Sequence, residues 1–239
     1  MSAATLSTQI NRQSFTSAVT QSLRFIPRSA LALMLAVAVG FALIDVASWE
    51  FKWPDTSAAL WSIAPYVLLI SAAEYLAVAG ILGSRCSIAG YLRFAGASTL
   101  AFLPIAIAFG LLFSAPVVGK DAALLLFAGG VAVGFVLMAF LPAWPVAQAL
   151  SSRFVAPTAV LKATRGFRWG LLGMTLVLGG INGQHLVPDV RDAHDLAHAL
   201  AYGAGEAGIT AVSLMYTAAI AASAFIWAAR NDERLNPQR

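Results

Sequence analysis

The sequence predicts an all-α membrane protein with six transmembrane helices and both termini in the cytoplasm. Hydrophobic residues make up 59% of its 239 residues and charged residues 11%, whereas soluble domains contain about 45–50% apolar residues. The mean hydropathy is +0.78. Six apolar stretches, each about 20 residues long, can each cross a hydrocarbon layer of about 30 Å. They leave no room for a separate globular domain, so we expect one membrane domain over residues 1–239.

The polar segments between these stretches alternate in basic residues. Twelve of the fifteen Lys and Arg residues lie in one set of alternate segments, and three lie in the other set. The positive-inside rule places the richer set in the cytoplasm. The net charge of +4 follows from this topology, so we expect no nucleic-acid partner. The twelve are Arg12, Arg24, Arg28, Arg85, Arg93, Arg153, Lys162, Arg165, Arg168, Arg230, Arg234 and Arg239.

The predicted spans cover residues 29–47, 58–82, 98–118, 122–142, 170–187 and 209–229. A cytoplasmic segment, 1–28, precedes them, and a cytoplasmic tail, 230–239, follows. Helices are required because the backbone polar groups of a lipid-exposed segment must find partners within the segment. Tryptophans cluster at both predicted boundaries, as is typical of membrane interfaces. Trp49, Trp53 and Trp61 lie at the outer boundary, and Trp144, Trp169 and Trp227 at the inner one.

Cytoplasmic amphipathic helices are predicted before spans 1, 3 and 5, over residues 14–26, 87–94 and 157–169. In the first of these, apolar residues follow helical spacing while polar residues occupy the rest of the circumference. Arg24, Arg93 and Arg165 take equivalent positions in the three segments. One interpretation is a threefold internal repeat of a surface helix followed by two spans. The alternative is that any bundle with inside termini needs basic residues before each odd span.

Paired glycines predict close contacts between helices. Gly130 and Gly134 are four residues apart, as are Gly179 and Gly183. Small residues at this spacing let membrane helices approach closely, since lipid is as apolar as leucine and does not itself drive association. Such faces serve either internal packing or a dimer interface.

Glu74 is the main polar candidate within the membrane. It lies well inside the second span, and no basic residue falls within the same apolar stretch. An ionised carboxylate near mid-bilayer costs several kcal/mol, so intramembrane acids are candidates for proton or cation relays. The alternative is a structural role, in which Glu74 reaches the inner interface and pairs with Arg85 or Arg93.

His194 and His198 lie in the outer segment between spans 5 and 6, and His185 lies at the outer end of span 5. His194 and His198 would share one face of a helix that starts near Pro188, as two metal ligands can. His185 or Asp195 could supply a third ligand, while the fixed charge of Arg191 would oppose a cation. The H-E-x-x-H pattern of zinc hydrolases is absent. A solvated interfacial helix is therefore the competing interpretation.

The remaining motifs do not indicate catalysis. Residues 203–208 match G-x-G-x-x-G, but no strand is predicted before them, as a dinucleotide site requires. We expect these glycines to form a flexible lead-in to the sixth span. The sequence contains no Walker loop, no pair of metal-binding cysteines and no nucleophile elbow. We therefore predict no cofactor and no catalytic residues.

Residues 141–153 (LPAWPVAQALSSR) and 156–169 (APTAVLKATRGFRW) carry a family resemblance. They resemble the inner connection of a group of bacterial six-span membrane proteins. That group includes the membrane domain attached to some glycerophosphodiester phosphodiesterases and several uncharacterised inner-membrane families. The resemblance implies a bacterial inner (plasma) membrane and an amphipathic helix before the first span. It implies no enzymatic activity, because the phosphodiesterase domain is not part of this sequence.

Three functional classes remain. The preferred one is a non-enzymatic accessory or scaffold subunit, whose partners are the lipid bilayer and a membrane protein or a second copy of the chain. The second is a small transporter that uses Glu74 at a midplane site. The third is a membrane metalloprotein that uses His194 and His198.

Overall fold

The computed structural model describes residues 15–53, 55–112, 119–183, 187–232 and 235, with side chains except at 55–66, 106, 109–112, 138 and 179–183. These ranges contain helices and no strands, as expected of an all-α protein. The α-helices are α1 (Phe15–Ser22), α2 (Arg28–Glu50), α3 (Asp55–Leu82), α4 (Ile88–Leu112), α5 (Lys120–Phe140), α6 (Ala143–Leu150), α7 (Pro157–Ala163), α8 (Arg168–Gly183) and α9 (Leu196–Asn231). Short 3-10 turns cover Leu23–Phe25, Arg165–Phe167 and Val190–Asp192.

Four helical segments in the described ranges are long and apolar enough to cross a membrane. They are Arg28–Glu50, Ile88–Ile105, Lys120–Leu137 and Leu196–Asn231. The second predicted span corresponds to α3, whose described apolar part is the shorter Val67–Leu82. The fifth corresponds to α8, whose 16 residues extend about 24 Å at 1.5 Å per residue. The fold is thus all-helical, with four helices suited to a bilayer by length and composition.

The separate surface helix predicted before span 3 is not found. Residues 88–94 form the first turns of α4, which continues without interruption into the span. No proline separates Phe94 from Ser98, and Gly96 alone does not stop a helix. Before spans 1 and 5, by contrast, the short helices α1 and α7 end in 3-10 turns. The equivalent arginines Arg24 and Arg165 lie in those turns, whereas Arg93 lies inside α4.

The predicted flexible lead-in to span 6 is wrong, because α9 runs continuously over 36 residues and includes the glycines of 203–208. Tertiary packing explains why these glycines remain helical. A Cβ at Gly203 would lie 3.0 Å from Val46 Cγ2, and one at Gly205 would lie 2.7 Å from Val187 Cγ1. The missing side chains therefore let α2 and the segment at Val187 approach the helix.

Helix α6 was not expected from the sequence, which predicted an inner connection at this point. Seven of its eight residues are buried, namely Ala143 to Ala149 in sequence. Pro145 falls in the first turn, where a helix needs no N–H donor from it. A short helix with an internal proline offers too little periodicity to be recognised from sequence.

The chain forms two compact units. Unit 1 comprises Met1–Ser87 and Leu176–Ser223, and unit 2 comprises Ile88–Thr175 and Ala224–Arg239. In unit 1, α2 packs on α3 and also on α9, where Ala38, Ala42 and Ala207 form a buried cluster. In unit 2, α4 packs on α5 and on α6.

Candidate functional site

Glu74 lies on the face of α3 that packs inside unit 1. Its side chain is half-buried. Ser71 and Val78, one helical turn away on either side, are 4% and 3% exposed. Among the described residues, no side chain forms an ion pair or hydrogen bond with Glu74. The carboxyl therefore lies in the apolar part of α3 without a described cation paired to it.

The alternative partners proposed for Glu74 are Arg85 and Arg93. The guanidinium of Arg93 donates to the carbonyl of Ala89 at 3.1 Å and to the carbonyl of Ser151. No ion pair joins Glu74 to Arg85 within the described ranges. The choice between a relay and a structural pair stays a prediction.

A buried serine pair joins two helices of unit 1. The hydroxyls of Ser22 and Ser223 lie 2.9 Å apart, and both residues are fully buried. Buried hydroxyls need a hydrogen-bond partner, and here each supplies the other. The contact joins the end of α1 to α9.

The histidine segment begins with a capped turn. The carboxylate of Asp189 accepts a hydrogen bond of 2.9 Å from the backbone N–H of Arg191 and opens the turn Val190–Asp192. The next helix begins at Leu196, so the helix predicted to start near Pro188 is not found and His194 precedes α9. The reason is Asp195, which is a stronger N-cap than its neighbours. Its Oδ1 accepts from the backbone N–H of His198 at 2.9 Å and contacts the Nδ1 of the same residue at 2.9 Å.

The hydrogen bonds that Asp195 accepts as the cap of α9 shift the pKa of its own carboxyl. The hydrogen bond from the backbone N–H of His198 lowers the pKa of the Asp195 carboxyl, and the side-chain hydrogen bond from the imidazole adds to the effect. Both donors favour the charged carboxylate. The geometry indicates a helix start fixed by a local hydrogen-bond pair.

The two described histidines lie near each other although they do not share a helix. Their ring centroids are 6.2 Å apart, and His198 also packs edge-on against Tyr202. Within the described residues, no group of three His, Cys, Asp or Glu side chains could hold a metal ion. His185 lies outside the described residues. Metal binding by His194 and His198 stays a prediction.

Three carboxylates of unit 1 lie close enough to interact, and one of them is Asp189 of the capped turn. The Asp45 and Glu206 carboxylates interact electrostatically with each other and with Asp189, and Arg191 offsets part of the repulsion at Asp45. Asp45 and Glu206 lie on different helices and far apart in the chain, so the sequence alone does not associate them.

The first glycine pair lies against a neighbouring helix of unit 2. A Cβ at Gly130 would lie 2.6 Å from Ala108 Cβ and 3.2 Å from the carbonyl oxygen of Pro104. A Cβ at Gly134 would overlap the side chain of Ile105. These two glycines thus serve contact between α5 and α4 within the chain. Gly179 and Gly183 lie in α8, and their surroundings are outside the described residues.

The connection between α6 and α7 is held by Gln148, for which the sequence predicted no role, and by Trp144, which it placed at the inner boundary. Gln148 accepts a hydrogen bond from the Val155 N–H at 2.8 Å and donates to the Arg153 carbonyl at 3.1 Å. The indole N–H of Trp144 donates to the Val155 carbonyl at 2.8 Å. These bonds satisfy backbone groups that no helix satisfies. For Gln148, the sequence signal was a polar residue within an otherwise apolar run.

Comparison with known protein families, with curated proteins and with solved structures finds no match to this chain. The resemblance of residues 141–169 to the inner connection of bacterial six-span membrane proteins stays a prediction.

Proposed function

We propose that this protein is a non-enzymatic integral membrane protein that acts as an accessory or scaffold subunit and holds lipid or another membrane component. The proposal rests on one observation: several described polar side chains bind backbone groups or each other. Trp144, Gln148 and Asp195 bind backbone, and Ser22 binds Ser223. Large apolar side chains meanwhile remain on the outside of the helices, such as Leu125 at 75% exposure. This division suits a protein whose contacts are with lipid and with other apolar helices.

The proposal includes six spans in a bacterial inner membrane, with both termini in the cytoplasm. The alternation of basic residues supports this orientation, and α3 and α8 would supply the two further spans. It also includes a threefold repeat whose middle member lost the break between surface helix and span. The common order of short helix, 3-10 turn and long helix in α1–α2 and α7–α8 supports the first and third members.

Cys86 offers a direct test of this orientation, because it is the only cysteine and is exposed. A membrane-impermeant maleimide should label it in inverted vesicles and leave it unlabelled in right-side-out spheroplasts. Labelling in spheroplasts would overturn the orientation. The C86S variant provides the background.

Purification in a gentle detergent tests the role itself. We expect a partner protein or phospholipid to remain bound in a fixed ratio, as read by native mass spectrometry. A monomer free of both, in several mild detergents, would contradict the proposal.

A transporter is the second candidate, and the setting of Glu74 favours it. A carboxyl on an inward face of a membrane helix, between Ser71 and Val78 and without a described cation, resembles a proton or cation site more than a structural pair. In proteoliposomes, Glu74→Gln should abolish proton- or cation-driven flux. Glu50→Gln is the matched control, since Glu50 is exposed at the end of α2. Equal flux in wild type and Glu74→Gln would dismiss the relay.

A further inference from the structure

The last turn of α9 packs against the turn between α7 and α8 in unit 2. The rings of Phe167 and Trp227 meet edge to face, with centroids 5.2 Å apart. The Asn231 side chain donates to the Ala163 carbonyl at 2.9 Å. Arg168 follows Phe167 directly and Arg230 precedes Asn231 directly. Two guanidinium groups therefore originate at this contact.

Both guanidinium groups retain a buried donor. The Nε of Arg168 and one terminal nitrogen of Arg230 are buried and find no hydrogen-bond acceptor among the described residues. A terminal nitrogen of Arg168 donates to the Leu161 carbonyl, which holds that group in position. A buried charged donor without an acceptor is costly, and native proteins rarely leave one unused. An anion bound at this contact would satisfy both.

Phosphate is the anion whose shape fits two guanidinium groups. The planar guanidinium presents parallel N–H donors that match the oxygens of a phosphate. Lys162, exposed in the same segment, adds positive charge around the contact. Trp169 is 82% exposed beside Arg168, and exposed tryptophans at the ends of membrane helices favour the headgroup layer. Basic pockets at the ends of membrane helices bind lipid headgroups.

We propose that Arg168 and Arg230 form a binding site for a phosphate group, carried by the headgroup of an anionic phospholipid. This inference rests on the lipid-holding part of the proposed function. The site uses Arg168 as a fixed donor and Arg230 as its partner from the end of α9.

The test measures retention of phosphatidylglycerol by the purified full-length protein in native mass spectrometry. Arg230→Gln should lower retention about tenfold, as expected for loss of one charged hydrogen bond. Arg165→Gln is the matched control, because it removes the same charge from an exposed residue of the same segment and should change retention less than about twofold. Equal losses in both variants would show general charge attraction and overturn the site.

A second arm separates the two sources of phosphate. Inorganic phosphate is titrated into lipid-free protein, with thermal unfolding as the readout. Stabilisation of wild type but not of Arg230→Gln, without retention of phosphatidylglycerol, would keep the phosphate site and assign it to a soluble anion. No response to either probe would overturn the site. A protein partner that still co-purified would leave the accessory role standing.

Arg230→Lys guards against a variant that fails to fold. It keeps the charge and loses the planar fork, so it should fold as wild type and retain phosphatidylglycerol less well than wild type. Retention equal to wild type would contradict recognition by the guanidinium.

Discussion

The two units use polar side chains in different ways. In unit 1 the Ser22–Ser223 pair joins two helices and the Asp195 carboxylate caps the start of α9. The Tyr75 hydroxyl of the same unit accepts from the backbone N–H of Ser87. In unit 2 they bind the backbone of a connection that no helix satisfies, as Gln148 and Trp144 do at Val155. Non-helical backbone must find acceptors and donors wherever it is buried, which explains the polar groups of unit 2. No such requirement explains Glu74, which is why that side chain of unit 1 is the stronger candidate for chemistry.

The largest expected effect on the free energy of unfolding lies at the glycine contacts, which also differ between the two units. In unit 2, a Cβ at Gly130 meets Ala108 and the Pro104 carbonyl, which are rigid. Gly130→Ala should lower the free energy of unfolding by about 3 kcal/mol, the upper end of ordinary overpacking costs. In unit 1, a Cβ at Gly203 would lie 3.0 Å from the end of the Val46 side chain and in ordinary van der Waals contact with Ala42 at 3.6 Å. Gly203→Ala should cost about 1 kcal/mol or less.

Unfolding by SDS in mixed micelles measures both variants. Gly129→Ala is the control, since nothing lies within 4 Å of a Cβ there, and it should be neutral or stabilising by up to about 1 kcal/mol. Equal effects at positions 129 and 130 would mean that α4 and α5 do not approach closely.

The next effect concerns the backbone of the connection. Gln148 is 9% exposed and satisfies both Val155 and Arg153. Gln148→Ala leaves two backbone groups unpaired, so the free energy of unfolding should fall by about 2–3 kcal/mol. The same SDS titration applies, with Gln21→Ala on α1 as a control of under about 0.5 kcal/mol. A change as small as the control would place the connection in water.

The serine pair of unit 1 should contribute less. Ser22→Ala and Ser223→Ala should each cost about 1 kcal/mol, because each leaves a buried hydroxyl unsatisfied. The double variant should cost less than the sum, and the double-mutant cycle measures the coupling. Strictly additive losses would show that the two hydroxyls do not bind each other.

The smallest effect is the pH dependence of the α9 start. The pKa of Asp195 is lowered in the folded state by the hydrogen bonds from His198, so its contribution is present above the unfolded pKa of about 3.9. It is lost as the pH falls through the lower, folded value. The protection of the amides in the first turn of α9, relative to the intrinsic exchange rate at each pH, should fall over that range in wild type. Asp195→Asn keeps an oxygen acceptor and should remove this pH dependence, and equal pH dependence of protection in the two proteins would refute the assignment.

The long apolar runs made most helices predictable, because a segment without polar groups in lipid has only the helical solution. The predictions from sequence were wrong or incomplete where tertiary packing determines the local structure. Gly203 and Gly205 suggested a break, yet neighbouring side chains fill the space beside them and α9 continues. The burial of α6 depends on tertiary contacts that eight residues with an internal proline do not reveal.

The candidate sites also divide into features that the sequence can show and features that depend on tertiary contacts. The sequence marks Glu74 as a candidate because no basic residue falls within its apolar stretch, but it does not decide whether Arg85 or Arg93 pairs with it. The start of α9 could not be predicted from histidine spacing, because Asp195 competes for the cap and places His194 before the helix. The burial of the Arg168 and Arg230 guanidinium donors depends on which helix ends pack together, and a single sequence does not reveal this.

The length of α9 has a consequence for the kind of membrane this protein can occupy. Its 36 residues extend about 54 Å, and even a tilt of about 40° leaves it longer than a hydrocarbon layer of about 30 Å. Leu196 and Leu200, near its start, are each 48% exposed and apolar. A thicker bilayer can cover these first turns, and a thinner one can leave them among the headgroups. The number of α9 turns within the hydrocarbon layer would change with its thickness. The helix therefore suits bilayers over a range of thicknesses.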